Sequence, residues 1–381
     1  MLVVAIGWQV FEIHKNPLDL GLVGLAEFVP LPLLALPAGQ LADRAPRRLV
    51  VAAGLVVQVG IAGSLVAITL SGAHALWPFL AVGATAGLAS ALTNPAGRSL
   101  TPEIVPPELL AGAVALRSVA NQAGIVVGPA VGGVIFNVDP VSVYIVAGAL
   151  FCLATVTIVG VSSAGAAAPA TELTWENLVA GISFIVKTRM LLGAISLDLV
   201  AVLFGDSIAL APVFARTILD VGPVGLGALR AAPSAGALLA GILLTRRPLH
   251  FRAGPTLLAV VAAFGAMMIV FGLSRSLPLS LAALAVSGFA DMISMNIRST
   301  TVLLVTPHEL QGRVSAVEWV FISASNELGA FEAGAVASLV GTVATVVAGG
   351  AVMIGVAGAW RRLFPSLARM GRLDELQAEP V

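Results

Sequence analysis

Long apolar runs of about 20 residues or more follow one another through most of the sequence, with only short polar stretches between them. A helix that crosses the roughly 30 Å hydrocarbon core of a bilayer needs a run of about this length. Only 10% of the 381 residues are charged, whereas a soluble domain is about a quarter charged. The sequence therefore predicts an all-α polytopic membrane protein.

Reading for such runs predicts eleven complete spans, at residues 20–41, 49–71, 75–97, 108–136, 139–162, 190–215, 222–245, 253–273, 277–303, 308–334 and 336–360. Ahead of them, residues 2–11 are apolar but cover only about half a bilayer. No basic segment precedes this run, and Glu12, His14 and Lys15 follow it, which argues against a signal peptide. We interpret it as the second half of a truncated first helix, giving about 11.5 spans, and expect about 10 to 40 further residues before Met1.

The distribution of basic residues predicts the orientation. If the loop at residues 44–48 is cytoplasmic, alternation of the spans puts nearly all other loop arginines and lysines on the same side. The exceptions are Lys15, Arg216 and Arg275. We expect a multi-pass protein of the plasma (inner) membrane with a cytoplasmic C-terminus.

The chain divides into two bundles with a polar break between them. We expect an N-terminal bundle at residues 1–162, a cytoplasmic linker at 163–189, a C-terminal bundle at 190–360 and a cytoplasmic tail at 361–381. Within the linker, residues 175–187 alternate apolar and polar positions at near-helical spacing, which predicts an interfacial helix.

An internal repeat relates the two bundles. A shift of 200 residues aligns Arg98, Ser99, Thr101, Val105, Pro107, Leu110, Gly112 and Val114 with Arg298, Ser299, Thr301, Val305, Pro307, Leu310, Gly312 and Val314. Both windows join corresponding spans. Secondary transporters are commonly built from such repeats, with the substrate bound between the halves.

The loop at residues 39–48 combines a glycine, an Asp-Arg pair and two further basic residues, namely Gly39, Asp43, Arg44, Arg47 and Arg48. It resembles the signature loop of the major facilitator superfamily, with Pro46 where the pattern usually has glycine. The resemblance implies a fold of two six-helix halves and a conformational latch at this loop. The alternative is a basic loop that only fixes topology.

The predicted fifth span contains Gly124, Gly128, Pro129, Gly132 and Gly133. This pattern resembles the antiporter motif of the same superfamily, which the family associates with export in exchange for protons. Small residues four apart also allow close helix packing. A packing face that has no bearing on the direction of transport is therefore an alternative interpretation of this pattern.

Residues 21–39, 229–233 and 297–334 resemble the enterobactin-exporter-like branch of the superfamily. The resemblance covers nearly the whole chain. It implies efflux of siderophores, macrolides or other drug-like amphiphiles by alternating access.

Ionisable residues within predicted spans are the candidates for a proton or substrate pathway, because a charge in hydrocarbon needs a partner, water or a function. They are Glu27, Arg117, Asp198, Asp206, Arg230, Asp291, Glu318, Glu327 and Glu332. In the major facilitator fold that the sequence resembles, the seventh and tenth helices line the cavity, which favours Asp206 and Asp291 as pathway residues. Arg298 is counted among the loop charges and is also a pathway candidate, as a distant partner for Asp291.

No nucleotide-binding loop, metal-ligand cluster or nucleophile–base pair occurs in the short extramembrane segments, so we expect no enzyme activity, no cofactor and no metal. The expected partners are a small-molecule substrate, protons and membrane lipid, with no nucleic acid, and the chain is expected to be a monomer. A proton-coupled exporter is the leading hypothesis. A uniporter or importer, and a non-transporting membrane protein or fragment, are the alternatives.

Overall fold

The computed structural model describes residues 1–30, 33, 46–72, 74–161, 175–205, 207–246 and 252–373. Within these ranges the regular structure is helical, which confirms the predicted all-α class. Eight helical segments of the described part are long and apolar enough to cross a membrane. They are Arg47–Leu70, Gly112–Val138, Pro140–Gly160, Arg189–Ile218, Gly222–Arg246, Ala253–Leu273, Leu277–Val305 and Thr342–Leu363.

The chain forms two compact units, and unit 1 comprises Met1–Leu173 with Gly222–Gly227. Its helices are α1 (Leu2–His14), α2 (Pro17–Phe28), α3 (Arg47–Leu70), α4 (Trp77–Ile104), α5 (Leu110–Val138) and α6 (Pro140–Gly160). Helix α3 packs against both α4 and α6, and α2 packs against α4. The core of this unit includes Val10, Leu65, Phe79 and Tyr144, all of them buried.

Unit 2 comprises Thr174–Val221 with Ala228–Val381. Its helices are α7 (Trp175–Lys187), α8 (Arg189–Gly205), α9 (Gly222–Arg246, of which the first six residues belong to unit 1), α10 (Ala253–Leu273), α11 (Leu277–Val305), α12 (His308–Val340), α13 (Thr342–Leu363) and α14 (Pro365–Ala368). Helix α10 packs against α11 and α13, while α8 packs against α12 and α13.

Most predicted spans coincide with helices, with three differences. The span predicted at 20–41 lies partly outside the described residues. The span predicted at 190–215 is α8 followed by short irregular turns, the last of which is a π-helical turn at Phe214–Ile218. The boundary predicted near residue 335 lies instead at Gly341, whose φ of 91° lets the chain turn between α12 and α13.

Glycines allow close helix contacts in unit 2. A Cβ on Gly288 of α11 would overlap the carbonyl oxygen of Pro233 in α9, and one on Gly236 of α9 would overlap the carbonyl of Ala285. Because each helix has a glycine where the other presents backbone, α9 and α11 approach more closely than helices with side chains at the contact could.

Candidate functional site

A buried ion pair joins two helices of unit 2. Nη1 of Arg298, in α11, donates a hydrogen bond to Oδ1 of Asp198, in α8, and each side chain is only 11% exposed. The place of Arg298 among the loop charges was wrong, because the residue lies within α11, seven positions before its end, whereas its role as a pathway candidate stays a prediction. A pair removed from water in this way is costly to break, since the remaining partner would be a buried, uncompensated charge.

Glu318, in α12, brings a second carboxylate to this pair. Asp198, Arg298 and Glu318 line one cavity of about 10 Å³, which is about the space of a single water. We call these three residues the acid–arginine cluster. It contains two carboxylates and one guanidinium, so it carries a net charge of −1 when both acids are ionised.

A larger cavity, of about 90 Å³, is also lined by both members of the ion pair, within unit 2. Asp291, Ser294, Arg298 and Asn326 provide its polar lining, together with Asp198. The Ser294 hydroxyl is buried and has no hydrogen-bond partner among the described residues. A polar cavity of this size has room for several waters, which would satisfy that hydroxyl and connect the cluster to an aqueous path.

Asp291 and Arg298 reach the same cavity because they are seven residues apart on α11, which places them on one helix face. Helices α10 and α13 bring only apolar residues to this cavity, namely Val260, Val261, Phe264 and Met353, and α12 brings the neutral Asn326 here and Glu318 to the smaller cavity. The ionisable groups around Arg298 therefore come from α8, α11 and α12.

The other predicted pathway residues are not among the described residues that line these two cavities. In unit 1, Glu27 is half-buried in α2, and Arg117 of α5 is exposed and donates from Nη1 to Oγ1 of Thr101 over 3.2 Å. In α12, Glu327 and Glu332 are half-buried. Arg230 is half-buried in α9. Asp206 lies outside the described residues.

Only part of the predicted latch can be located. Gly39, Asp43 and Arg44 lie outside the described residues. Arg47 is buried in the first turn of α3, and Nη1 of Arg48 donates to the carbonyl oxygen of Val161, at the end of α6, over 2.9 Å. This hydrogen bond ties the start of α3 to the end of α6 within unit 1.

The glycine pattern of α5 divides between two neighbours. A Cβ on Gly132 would lie 2.7 Å from Cα of Met1, and one on Gly133 would lie 2.5 Å from the carbonyl oxygen of Pro223. The first contact faces the start of α1 and the second faces the start of α9. Gly124 is exposed and meets nothing within 4 Å, so only the later part of the motif provides close packing.

The sequence analysis missed a neutral polar network in unit 1. The Tyr144 hydroxyl of α6 donates to Oε1 of Gln9 in α1 over 2.6 Å, and Nε2 of Gln9 donates to Oγ1 of Thr69 in α3 over 3.0 Å. The available signal was Gln9 itself, an amide within an otherwise apolar run. The network joins three helices without any charge.

Comparisons with known proteins agree with this architecture. A family model described as a transmembrane secretion effector matches residues 1–377. The multidrug efflux pump Tap of Mycolicibacterium fortuitum is 28% identical over 360 residues, which cover 91% of this chain and 87% of that protein. The uncharacterized MFS-type transporter YfiS of Bacillus subtilis (strain 168) is 28% identical over 266 residues, covering 66% and 62%.

Solved transporters share the fold. A bacterial homologue of the human lysosomal transporter Spinster matches with a TM-score of 0.71 and 15% identity, over 99% of this chain and 96% of that one. A bacterial homologue of the iron transporter ferroportin matches with a TM-score of 0.68 and 16% identity, over 94% and 95%. The predicted major facilitator fold is thereby confirmed.

Proposed function

The chain belongs to the transmembrane secretion effector family of the major facilitator superfamily, and we propose that it is a proton-coupled exporter of amphiphilic, drug-like molecules in the plasma membrane. The similarity to a multidrug efflux pump over most of both chains supports export and this substrate class. The proposed orientation, with the C-terminus in the cytoplasm, follows from the loop arginines.

The observation that supports proton coupling is that the acid–arginine cluster has two carboxylates but only one guanidinium. A guanidinium stays protonated in a protein, so Arg298 neutralises only one of its two acids. When the site is closed to water, a second ionised carboxylate is costly, and binding one proton removes that cost. When the site opens to water, the proton can leave. Such a cluster can alternate between two protonation states as the transporter changes conformation.

The division of roles follows from the contacts. Asp198 is bonded directly to Arg298, so we choose Glu318 as the group that takes up the proton. Asp291 is the next candidate because it lines the larger cavity beside Arg298. Export by alternating access then couples substrate release to protonation. The two repeated halves support this mechanism, since such transporters rock one half against the other.

Proteoliposomes with an imposed pH gradient test the proposal. We expect uptake of radiolabelled erythromycin, used as a macrolide probe, or of ethidium to depend on the gradient and to collapse with a protonophore. Glu318→Gln should abolish gradient-driven transport but retain counterflow, in which labelled probe exchanges for unlabelled probe. Glu309→Gln, in the exposed first turn of the same helix, is the matched control.

Each result has a distinct meaning. Gradient-driven transport that survives Glu318→Gln would remove Glu318 as the proton site and leave Asp291→Asn as the next variant. Counterflow without any response to the gradient in the unaltered protein would make the chain a uniporter. Failure of both probes in both assays would refute the proposed substrate class.

We also propose that the loop before α3 acts as the latch of the conformational cycle. The hydrogen bond from Arg48 to Val161 supports the proposal, because it joins two helix ends that a latch at this loop would control. Asp43→Asn should lower turnover at unchanged membrane insertion. Normal turnover of this variant, measured per molecule of reconstituted protein, would refute the latch.

A further inference from the structure

An open groove of about 910 Å³ lies beside α10 and α13. Four arginines line it at one end: Arg252 before α10, Arg361 and Arg362 in the last turn of α13, and Arg369 after α14. All four are exposed, and no carboxylate is among the residues that line the groove in the described part of the chain. Four cations are thus held together without an anion from the groove itself.

At the arginine end of the groove, hydrogen bonds to backbone carbonyl oxygens join the start of α10 to the segment after α14. The N–H of Ala253 donates to the carbonyl oxygen of Gly371 over 2.7 Å, and Nη2 of Arg252 donates to the carbonyl oxygen of Arg369 over 3.4 Å. Leu367, between these positions and α13, is fully buried. The segment after α13 therefore returns to the start of α10, and this return places Arg369 beside Arg252.

The rest of the groove is apolar. Along α10 its lining continues from Arg252 to Ala262, ten residues or about 15 Å of helix, and along α13 it runs from Ile354 to Arg362, about 12 Å. Both helices are apolar enough to span a membrane, and the arginines stand at their ends. The groove thus has a cationic rim at the depth of lipid headgroups and an apolar wall at the depth of acyl chains.

We propose that this arginine groove binds an anionic phospholipid. Guanidinium groups bind phosphate through paired hydrogen bonds, and an anion would relieve the mutual repulsion of the four arginines. Basic pockets between membrane helices on the cytoplasmic side bind anionic headgroups in this way. A free phosphate would use the rim but not the apolar wall, so a phospholipid fits the whole groove. The inference depends on membrane embedding and is independent of proton coupling.

The test is titration of the purified protein in detergent with dioleoyl phosphatidylglycerol, with dioleoyl phosphatidylcholine or sodium phosphate in parallel arms. Bound lipid is counted by native mass spectrometry, and the melting temperature is followed as a second readout. We expect phosphatidylglycerol alone to bind and to raise the melting temperature. Arg361→Gln/Arg362→Gln should weaken that binding on the order of 30-fold, the factor that corresponds to about 1 kcal/mol for each of the two arginines.

The matched control removes the same two charges elsewhere. Arg189 and Arg246 are exposed at helix ends on the side predicted to be cytoplasmic, and they do not line the groove. Arg189→Gln/Arg246→Gln should leave phosphatidylglycerol binding unchanged. Equal loss in both double variants would show only a general effect of surface charge and would overturn the assignment.

Two other results would also overturn it. Inorganic phosphate that stabilises the protein as well as phosphatidylglycerol does would make the groove a free-anion site. The sequence after the groove contains Asp374, Glu375 and Glu379. If phosphatidylglycerol binds only after Asp374→Asn/Glu375→Gln/Glu379→Gln, the groove serves the protein's own acidic tail.

Discussion

Removal of the acids around Arg298, first singly and then together, tests the acid–arginine cluster. Asp198→Asn breaks the direct hydrogen bond, but Arg298 keeps Glu318 as a substitute partner in the same small cavity. We therefore expect Asp198→Asn alone to cost about 1 kcal/mol, in the range of one lost hydrogen bond, and Glu318→Gln alone to cost no more than this, because Asp198 keeps its hydrogen bond to Arg298. In Asp198→Asn/Glu318→Gln both acids of the cluster are gone, and the cost should rise to about 3–5 kcal/mol, as for a buried charge deprived of its partner.

The assay is denaturation by SDS in mixed detergent micelles, followed by fluorescence of the five tryptophans. The expected non-additivity, about 1–3 kcal/mol beyond the sum of the single changes, lies in the range found for residues that share a partner. Asp198→Asn/Glu309→Gln is the control, since Glu309 is exposed and lies outside the cluster, and its effects should add. Additive effects in Asp198→Asn/Glu318→Gln would refute the shared guanidinium.

Three further predictions concern stability away from the cluster. Tyr144→Phe should cost about 1 kcal/mol, because it removes the hydroxyl that donates to the α1 amide. Gly265→Ala should cost about 1–3 kcal/mol, because a Cβ there would lie 2.5 Å from the carbonyl oxygen of Gly350 across the α10–α13 contact. Hydrogen bonds from the Ser142 hydroxyl and N–H lower the pKa of Asp139, the N-cap of α6, so its stabilising effect should be complete above about pH 4 and should disappear as the pH falls through the lowered value.

Each of these predictions has its own check in the same unfolding assay. For the glycine contact, Gly355→Ala is the matched control, because Gly355 meets nothing within 4 Å, and an equal cost in both variants would refute the packing argument. For the network, Tyr144→Phe at wild-type stability would mean that the hydroxyl bond contributes nothing. For the N-cap Asp139, the melting temperatures of the wild type and of Asp139→Ala should converge as the pH is lowered. A difference that stays constant with pH would contradict the predicted loss of stabilisation at low pH.

Much of the fold could be predicted from the sequence because membrane spans are defined by length and hydropathy alone. The apolar run before Leu273 and the one after Leu277 each coincide with a helix of the structure. The repeat was also readable, and both of its windows lie where one helix ends and the next begins, at Ile104 and Leu110 in unit 1 and at Val305 and His308 in unit 2.

The candidate site could be predicted only in part, because hydropathy does not tell which way a helix faces. Asp198 and Glu318 were recognised as charges within spans, but nothing in their spacing indicates that they meet Arg298 across 100 and 20 residues of chain respectively. Arg298 was named a pathway candidate but was also counted among the loop charges, because an arginine near the end of a span resembles a loop charge when its buried partner is unknown. The spacing of seven between Asp291 and Arg298 was the one readable clue.

The repeat allows a functional role for the cluster to be weighed against a structural one. A charge needed only to hold a six-helix half together would be expected in both copies. Positions 98 and 298 are both arginine, but a shift of 200 residues aligns Asp291 with Ala91 and Glu318 with Ser118. Asp291 and Glu318 thus have no acidic counterpart in the other copy, while unit 1 joins α1, α3 and α6 through a neutral network. Since both halves form compact units, an acid at these two positions is not a general requirement of the repeated fold, and the asymmetry favours a role for Asp291 and Glu318 in the proposed transport cycle.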